Sequence, residues 1–184
     1  MLRVRLAASV QDLQNILELQ GENMKVRLTP EEIDGEGFIT VRHSLEQLKI
    51  MQNLVPQVIA TDEKQLAGYA LVMTRELKNS IPVLIPMFDL LDTLAYRSRP
   101  VRSLNYYVMG QICVRKSHRG RGVFRQLYRA HRELLSKDFD CCITEVSTSN
   151  FRSMRAHLAV GFRLLHTFKD AFDEWNIVMW DWTK

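Results

Sequence analysis

Apolar and polar residues alternate along the first part of the chain in patterns typical of short strands and amphipathic helices. Residues 2–7 predict a first strand, and Ser9 offers an N-cap for a helix whose apolar positions recur at helical spacing. The stretches 29–32 and 44–47 both match the capping box, and Pro30 suits the first turn of its helix. We therefore expect a strand followed by a series of helices.

The middle of the chain predicts strands. Residues 57–61 and 66–74 are strand-like and are joined by a turn at 62–64. Residues 106–114 are apolar on both faces except for Gln111, as expected of a central strand.

The C-terminal part alternates between the two patterns. A helix from Val123 precedes a strand at 141–147, and a second helix at 150–159 ends near Gly161. The last two strands, residues 162–168 and 175–182, are expected to close the sheet as a hairpin-like pair.

A basic turn with two glycines connects the predicted central strand to the helix at Val123. Gly120 and Gly122 have no Cβ to keep a ligand away from their backbone amides, and a helix N-terminus adds free N–H groups. Positive charge surrounds the turn, from Arg115, Lys116, Arg119 and Arg121. Such a strand, turn and helix predict an anion site, most naturally for a pyrophosphate.

A Walker A loop is the competing interpretation of this region. The stretch 110–117 is one residue short of that motif, with Arg115 in place of its second glycine. The motif would also put Ile112, Cys113 and Val114 in the phosphate cradle, whereas they lie in the predicted strand. We therefore exclude a Walker A site.

Composition narrows the class of protein. The 184 residues fit one domain, and 46% hydrophobic with 25% charged residues is typical of a soluble globular protein. The net charge of +4 is modest, and much of the basic charge clusters between residues 115 and 132, which favours an anionic ligand over a wholly basic nucleic-acid surface. The sequence has neither a membrane-length apolar stretch nor a signal peptide. Its cysteines lack disulfide spacing and its histidines lack metal-ligand spacing, which predicts a cytoplasmic protein without a metal.

The turn sequence R-G-R-G-V-F, Arg119 to Phe124, resembles the (Q/R)-x-x-G-x-(G/A) acyl-CoA signature of the GNAT superfamily of N-acyltransferases. Members of that family typically continue with a strand ending in Glu-Val, an Asn four residues on, and a helix closing in Gly-Phe. Here Glu145-Val146, Asn150 and Gly161-Phe162 follow in that order and spacing.

The resemblance implies an α/β (α+β) protein with the GNAT acyl-CoA N-acyltransferase fold. In this fold a mixed, mostly antiparallel central sheet has helices on both faces, and its fourth and fifth strands splay apart. The resemblance implies a single GNAT N-acetyltransferase domain over residues 1–184. Residues 75–104 replace the usual short hairpin between the third and fourth strands and form an insertion.

The insertion is predicted to contain a helix that begins at Pro86. Its apolar face comprises Met87, Leu90, Leu91 and Leu94. This face either packs on the core or a partner subunit, or walls the acceptor pocket. Asp89 and Asp92 share the opposite face, which we interpret as solvated rather than as an amine-binding pair.

The resemblance also assigns the cofactor site. In GNAT enzymes the pantetheine arm of CoA lies between the splayed strands, here against Ile112, Cys113 and Val114, and Asn150 lies on the far side of the cofactor. The pyrophosphate would bind Arg119, Gly120, Arg121, Gly122, Val123 and Phe124. The implied cosubstrate is acetyl-CoA, with no metal.

For the chemistry, the resemblance implies that a neutral amine attacks the thioester carbonyl while a backbone N–H near Val114 stabilises the oxyanion. Glu145 and Gln111 are the nearest polar candidates for the base, although glutamine cannot be one and Glu145 can be structural. His157 stands where the family has a tyrosine thought to protonate the departing thiolate. A histidine can supply that proton near neutrality, or it can merely pack the helix. Phe124 occupies a position at which the family usually has Gly or Ala, so its larger side chain can narrow the pyrophosphate-binding site.

These residues predict an N-acetyltransferase that transfers an acetyl group from acetyl-CoA to a primary amine in a ternary complex. The acceptor would be a small-molecule or peptide amine, a homodimer is compatible with the apolar face, and no nucleic acid or membrane is expected as a partner. Two alternatives stay open. One is an acyl-CoA sensor of the same fold without turnover, and the other is a nucleic-acid binder that uses the basic residues 115–132.

Overall fold

The computed structural model describes residues 1–36, 38–63, 65–81 and 84–183, without the side chains of residues 34–36. The helices are α1 Val10–Asn23, α2 Pro30–Glu36, α3 Leu45–Leu54, α4 Leu77–Ser80, α5 Ile85–Thr93, α6 Val123–Leu135 and α7 Phe151–Val160. The strands are β1 Arg3–Leu6, β2 Val58–Thr61, β3 Leu66–Met73, β4 Ala95–Tyr96, β5 Arg99–Pro100, β6 Tyr106–Val114, β7 Cys141–Ser147, β8 Arg163–Lys169 and β9 Glu174–Asp181. Lys64, in the predicted turn at 62–64, lies outside the described residues.

Most of the strands form a seven-stranded sheet in the order β1-β2-β3-β6-β7-β9-β8. Neighbouring strands are antiparallel except β6 and β7, which run parallel. Because β9 lies between β7 and β8, the last two strands close the sheet as the predicted pair. The mixed, mostly antiparallel sheet with helices on both faces is confirmed.

The sheet opens in its centre. β6 and β7 pair only from Tyr106 with Cys141 to Val108 with Ile143. At the point where the backbone pairing ends, the Thr144 hydroxyl donates to the Met109 carbonyl at 2.8 Å. Beyond this point the two strands separate, so the predicted splay of the fourth and fifth strands is confirmed.

A bulge bends β6 where the splay begins. The register with β3 shifts between Leu71, which faces Gln111, and Val72, which faces Met109, so Gly110 is the extra residue. A Cβ at Gly110 would come within 2.7 Å of the Met73 sulfur, so only glycine fits without a shift of that side chain.

The sheet separates two hydrophobic cores. The first lies under α1, α3 and α5 and contains fully buried side chains such as Ile16, Leu48 and Leu91. The second lies under α6 and α7 and contains Leu127 and Tyr128. Since β6 and β7 contribute to both cores, they form the centre of the molecule.

The predicted helix starts are confirmed where local chemistry determines them. Ser9 accepts from the Asp12 amide and Ser44 from the Gln47 amide, and both caps are reciprocal. Thr29 forms the same arrangement with Glu32. Each such cap stabilises its helix by about 1 kcal/mol.

The insertion packs as part of the first core. In α5 the fully buried side chains are Phe88 and Leu91, while the rest of the predicted apolar face, Met87, Leu90 and Leu94, is only partly buried against the same core. Asp89 pairs with Lys78 and Asp92 pairs with Arg75, so both carboxylates have partners within the insertion. Within the described part of the chain, no helix combines the length and apolarity needed to cross a membrane.

Candidate functional site

A cavity of about 500 Å³ opens where β6 separates from β7. Its walls come from the end of β6, the start of α6, the length of α7, and a segment near residue 38. The lining residues are Asn23, Phe38, Ile39, Ile112, Cys113, Val114, His118, Arg119, Gly120, Gly122, Val123, Phe124, Arg125, Asn150, Arg152, Ser153, Ala156, Ala159 and Val160. All the predicted cofactor residues except Arg121 are therefore brought to one cavity.

The basic turn, residues 115–122, forms one end of this cavity. A short 3-10 helix, Lys116–His118, leads into Gly120 with φ of 74° and Gly122 with φ of 77°, both in the left-handed region that glycine adopts without strain. Gly122 is the N-cap of α6 and offers no side chain to the first N–H groups of the helix. Those N–H groups and the positive end of the helix dipole therefore border the cavity and suit an anion.

Two of the four basic residues predicted to surround the anion are paired with carboxylates. Arg115 forms an ion pair with Glu22 at 2.7 Å, and Lys116 forms one with Glu32 at 2.8 Å. Arg121 is exposed and does not line the cavity.

Arginines outside the predicted set line the cavity instead. Arg125, in the first turn of α6, and Arg152, in the first turn of α7, both contribute to its wall. Arg119 lines it too, while its guanidinium donates to the Val114 carbonyl and to Asn23. Arg125 and Arg152 are thus better placed for a phosphate than Arg115 or Lys116.

Asn150 joins two parts of the cavity wall. Its side-chain oxygen accepts from the Ser153 amide at 3.1 Å and caps α7, while its amide nitrogen donates to the Phe38 carbonyl at 3.1 Å. The segment after α2 is also held at Gln111, whose amide nitrogen donates to the Val41 carbonyl at 2.7 Å. Neither contact can be predicted from sequence, because residues 38–41 match no motif.

Both polar atoms of the Gln111 side chain have hydrogen-bond partners. Besides its bond to Val41, its side-chain oxygen accepts from the Tyr69 hydroxyl at 2.6 Å. Its role in this structure is to hold the segment after α2 against β6.

His157 lies in the second core and does not line the cavity. Its exposed fraction is 2%, and its ring packs edge-to-face against Phe124, Tyr128 and Phe162. Burial lowers the pKa of His157 to about 4. The ring is therefore neutral near pH 7, and the Nδ1–H donates to the Ser153 carbonyl at 2.8 Å.

This geometry favours a packing role for His157. With the proton on Nδ1, the buried Nε2 carries only a lone pair, and it has no hydrogen-bond partner among the described residues. The Phe124 ring, 5.1 Å from the histidine ring, is the part of this pair that lines the cavity. The two departures from the family pattern are thus in contact with each other.

Glu145 lies on β7. It is on the same face of the sheet as Cys141 and Ile143, which belong to the first core. Burial raises the pKa of Glu145 to about 7, and the negative charge of Asp170 contributes to the increase. Its Oε1 atom is buried without a hydrogen-bond partner among the described residues. A carboxylate with this pKa exchanges protons near neutrality, although Glu145 does not line the cavity.

The described residues contain no group of histidine, cysteine, aspartate and glutamate side chains that could hold a metal ion.

Comparison with known sequences identifies the family. The family model described as "Acetyltransferase (GNAT) family" matches residues 31–162. A search of curated proteins found no match.

Solved structures share the fold. The ribosomal-protein-S18-alanine N-acetyltransferase from Escherichia coli is similar with a TM-score of 0.68 and 12% identity, over 100% of this chain and 96% of the other. The NatC complex bound to Gag peptide and CoA gives a TM-score of 0.66 and 13% identity, over 99% of both chains. The yncA protein from Salmonella typhimurium, solved with its cofactor acetyl-CoA, gives 0.65 and 14% identity, over 100% of this chain and 95% of the other. Because the family match covers most of the chain, this protein belongs to the GNAT acetyltransferase family.

Proposed function

We propose that the protein is an N-acetyltransferase that transfers the acetyl group of acetyl-CoA to a primary amine within a ternary complex. The observation that carries this proposal is the cavity between the unpaired end of β6 and α7, which ends at the left-handed glycines of the basic turn. Its shape and polarity suit a long ligand with an anionic end. Solved structures of the same fold contain acetyl-CoA or CoA.

The residues present fit this cosubstrate. A Cβ at Gly120 would find no atom within 4 Å, so the turn leaves open space beside its amides. The pantetheine arm would lie along Ile112, Cys113 and Val114, where β6 has left its neighbour. The pyrophosphate would bind the turn from Arg119 to Phe124, with charge from Arg125 and Arg152.

In the reaction, the amine nitrogen forms a bond to the thioester carbonyl carbon and the carbon–sulfur bond breaks. The amine loses a proton to a base, and the CoA thiolate gains one. Glu145 is the proposed base, reached through water, because a pKa of about 7 suits proton transfer near neutral pH. A backbone N–H near Val114 would stabilise the oxyanion.

The acceptor amine is proposed to be a small molecule or a peptide. The E. coli neighbour is named for an alanine of a ribosomal protein, and the NatC complex was solved with a peptide. Glu145 and Asp170 give this side of the sheet negative charge, which favours the approach of a cationic amine. All three cysteines are free and buried, which fits the reducing cytoplasm.

A second candidate function, acyl-CoA binding without turnover, is favoured by one specific observation. Neither Glu145 nor His157 lines the cavity, so no group assigned to proton transfer reaches the proposed thioester directly. A sensor would need the cavity and the basic turn but no base.

The experiment that separates these functions measures both binding and thiol release. Calorimetric titration with CoA tests the cosubstrate site, and acetyl-CoA with a panel of amines, polyamines, amino acids and peptides tests turnover. Binding with thiol release for one acceptor class supports the transferase. Binding without release for any acceptor supports the sensor, and no binding at millimolar CoA would contradict both functions.

A further inference from the structure

His118 is a buried histidine inside the basic turn that the proposed mechanism does not use. Its exposed fraction is 2%, and both ring nitrogens have partners. The Nε2–H donates to the Asp62 carboxylate at 2.6 Å, and Nδ1 accepts from the Ser117 hydroxyl at 2.9 Å. His118 also lines the cavity.

Asp62 is on a different element from the turn. It follows β2 and belongs to the connection to β3, where its amide donates to the Gln65 carbonyl at 3.1 Å. The bond from His118 therefore ties the basic turn to the sheet at a point 56 residues away in sequence.

The turn needs such an anchor because of the residues that follow. The 3-10 helix ends with the Arg119 amide donating to the Lys116 carbonyl, and left-handed glycines come next at 120 and 122. Glycine has the largest conformational freedom to lose when the turn is ordered. Without such an anchor, the turn would lose this conformational entropy when CoA binds, and the affinity for CoA would be lower.

The turn is also held by the Arg115 Nε–H, which donates to the Leu66 carbonyl at 2.7 Å, and by the Arg119 guanidinium, which donates to Asn23, whereas its two ion pairs are weaker anchors. The side chain of Lys116 is 64% exposed in its pair with Glu32, and Glu22 is 47% exposed in its pair with Arg115. Exposed ion pairs contribute only about 0–1 kcal/mol. In the pair of His118 with Asp62 the two side chains are 3% and 29% exposed, so this bond is better shielded from competing water than either ion pair.

We propose that His118 is a positioning residue. Its hydrogen bond to Asp62 holds the basic turn in the conformation that binds a diphosphate. This inference rests on the proposed acetyl-CoA site. His118 acts on the ligand through the backbone of the turn, so its loss weakens the diphosphate contact and leaves the pantetheine contacts along β6 intact.

The test is calorimetric titration of the full-length protein with two probes, CoA and pantetheine, which lacks the diphosphate. We expect His118→Ala to weaken CoA binding by about 10-fold, the effect of one lost ordering contribution, and to leave pantetheine binding unchanged. Asp62→Ala should weaken CoA binding by at least as much, and adding His118→Ala to it should cost no more, because the bond between the two side chains is then already absent. Asp62→Asn, whose side-chain oxygen still accepts from Nε2–H, should bind CoA nearly as the unaltered protein does.

Every other result of these titrations would contradict either this inference or the proposed function. His166→Ala removes a histidine on β8, away from the cavity, and serves as the matched control. If the unaltered protein does not bind CoA, the proposed function fails and this inference with it. If the unaltered protein binds CoA but His118→Ala and Asp62→Ala bind it equally well, or if CoA and pantetheine are weakened equally, the inference alone is wrong. Should His118→Ala fail to fold, the comparison of Asp62→Ala with Asp62→Asn decides the matter.

Discussion

Replacing Gly122 with valine tests the cosubstrate site most directly. A Cβ at Gly122 would have the Gln126 side-chain nitrogen at 3.9 Å as its nearest neighbour, which is ordinary contact, so the substitution causes no clash. The cost is conformational, because a φ of 77° is strained for a β-branched residue. That strain amounts to about 1–2 kcal/mol. In a domain of this size we expect the Tm without ligand to fall by about 2–8 °C.

The effect on CoA binding should be larger than the effect on folding. A ligand present at about 100 times its Kd stabilises the folded state by about 2.7 kcal/mol, which corresponds to a rise in Tm of about 5–11 °C. Loss of one or two hydrogen bonds to a phosphate, each worth about 1.5–3 kcal/mol, weakens binding by about 100-fold. At the same CoA concentration the stabilisation then falls to about 0.4 kcal/mol, and the rise in Tm to about 1–2 °C.

The measurement is a thermal melt with and without CoA for the unaltered protein and two variants. Gly122→Asn is the matched control for strain, because asparagine tolerates the left-handed conformation. This variant should keep the Tm without ligand close to that of the unaltered protein. Its side chain should still block the approach of the pyrophosphate to the turn. If Gly122→Val retained the full CoA-dependent rise in Tm, the pyrophosphate would not bind at this turn.

Three further predictions follow from the site and the core. In Glu145→Gln, the rise of kcat/KM with pH through about 7 should disappear, because the ionised carboxylate is the active form and burial raises its pKa to that value; an unchanged pH profile would exclude Glu145 as the base. His157→Phe should change kcat by less than about 2-fold, because the neutral, buried ring has no proton on Nε2 to give; a loss above about 10-fold at unchanged KM would restore the role of acid. Leu91→Ala should lower the stability by about 2–5 kcal/mol without changing the CoA-dependent rise in Tm, since Leu91 is fully buried; an unchanged Tm with reduced acceptor turnover would instead place it in the acceptor pocket.

Features that depend on neighbouring residues could be predicted from the sequence. The caps at Ser9 and Ser44 use contacts within a few residues, and the left-handed conformation before α6 depends on Gly120 and Gly122 themselves. Local patterns did not predict the order of the strands or the splay between β6 and β7. Both were predicted from the resemblance to the family.

Features that depend on distant contacts could not be predicted. Arg115 and Lys116 look like free cations in the sequence, but their partners Glu22 and Glu32 lie 93 and 84 residues away. The apolar face predicted for α5 included Leu91, which is fully buried, but it missed Phe88, which is buried with it, while Met87, Leu90 and Leu94 are only partly buried. Periodicity identifies a helix but does not determine which adjacent apolar residue faces inward.

The short parallel pairing of β6 with β7 has a mechanical consequence. The sheet consists of two leaves, β1-β2-β3-β6 and β7-β9-β8, and a joint at Tyr106–Val108 and Cys141–Ile143 connects them. A small rotation at this joint would widen or narrow the gap at the far ends of β6 and β7, while each leaf keeps its own antiparallel bonds. Tyr107 and Cys142 face each other in the joint, and both are fully buried. We therefore expect a change in the volume of either side chain to alter the angle between the leaves, and through it the width of a cavity that neither residue lines.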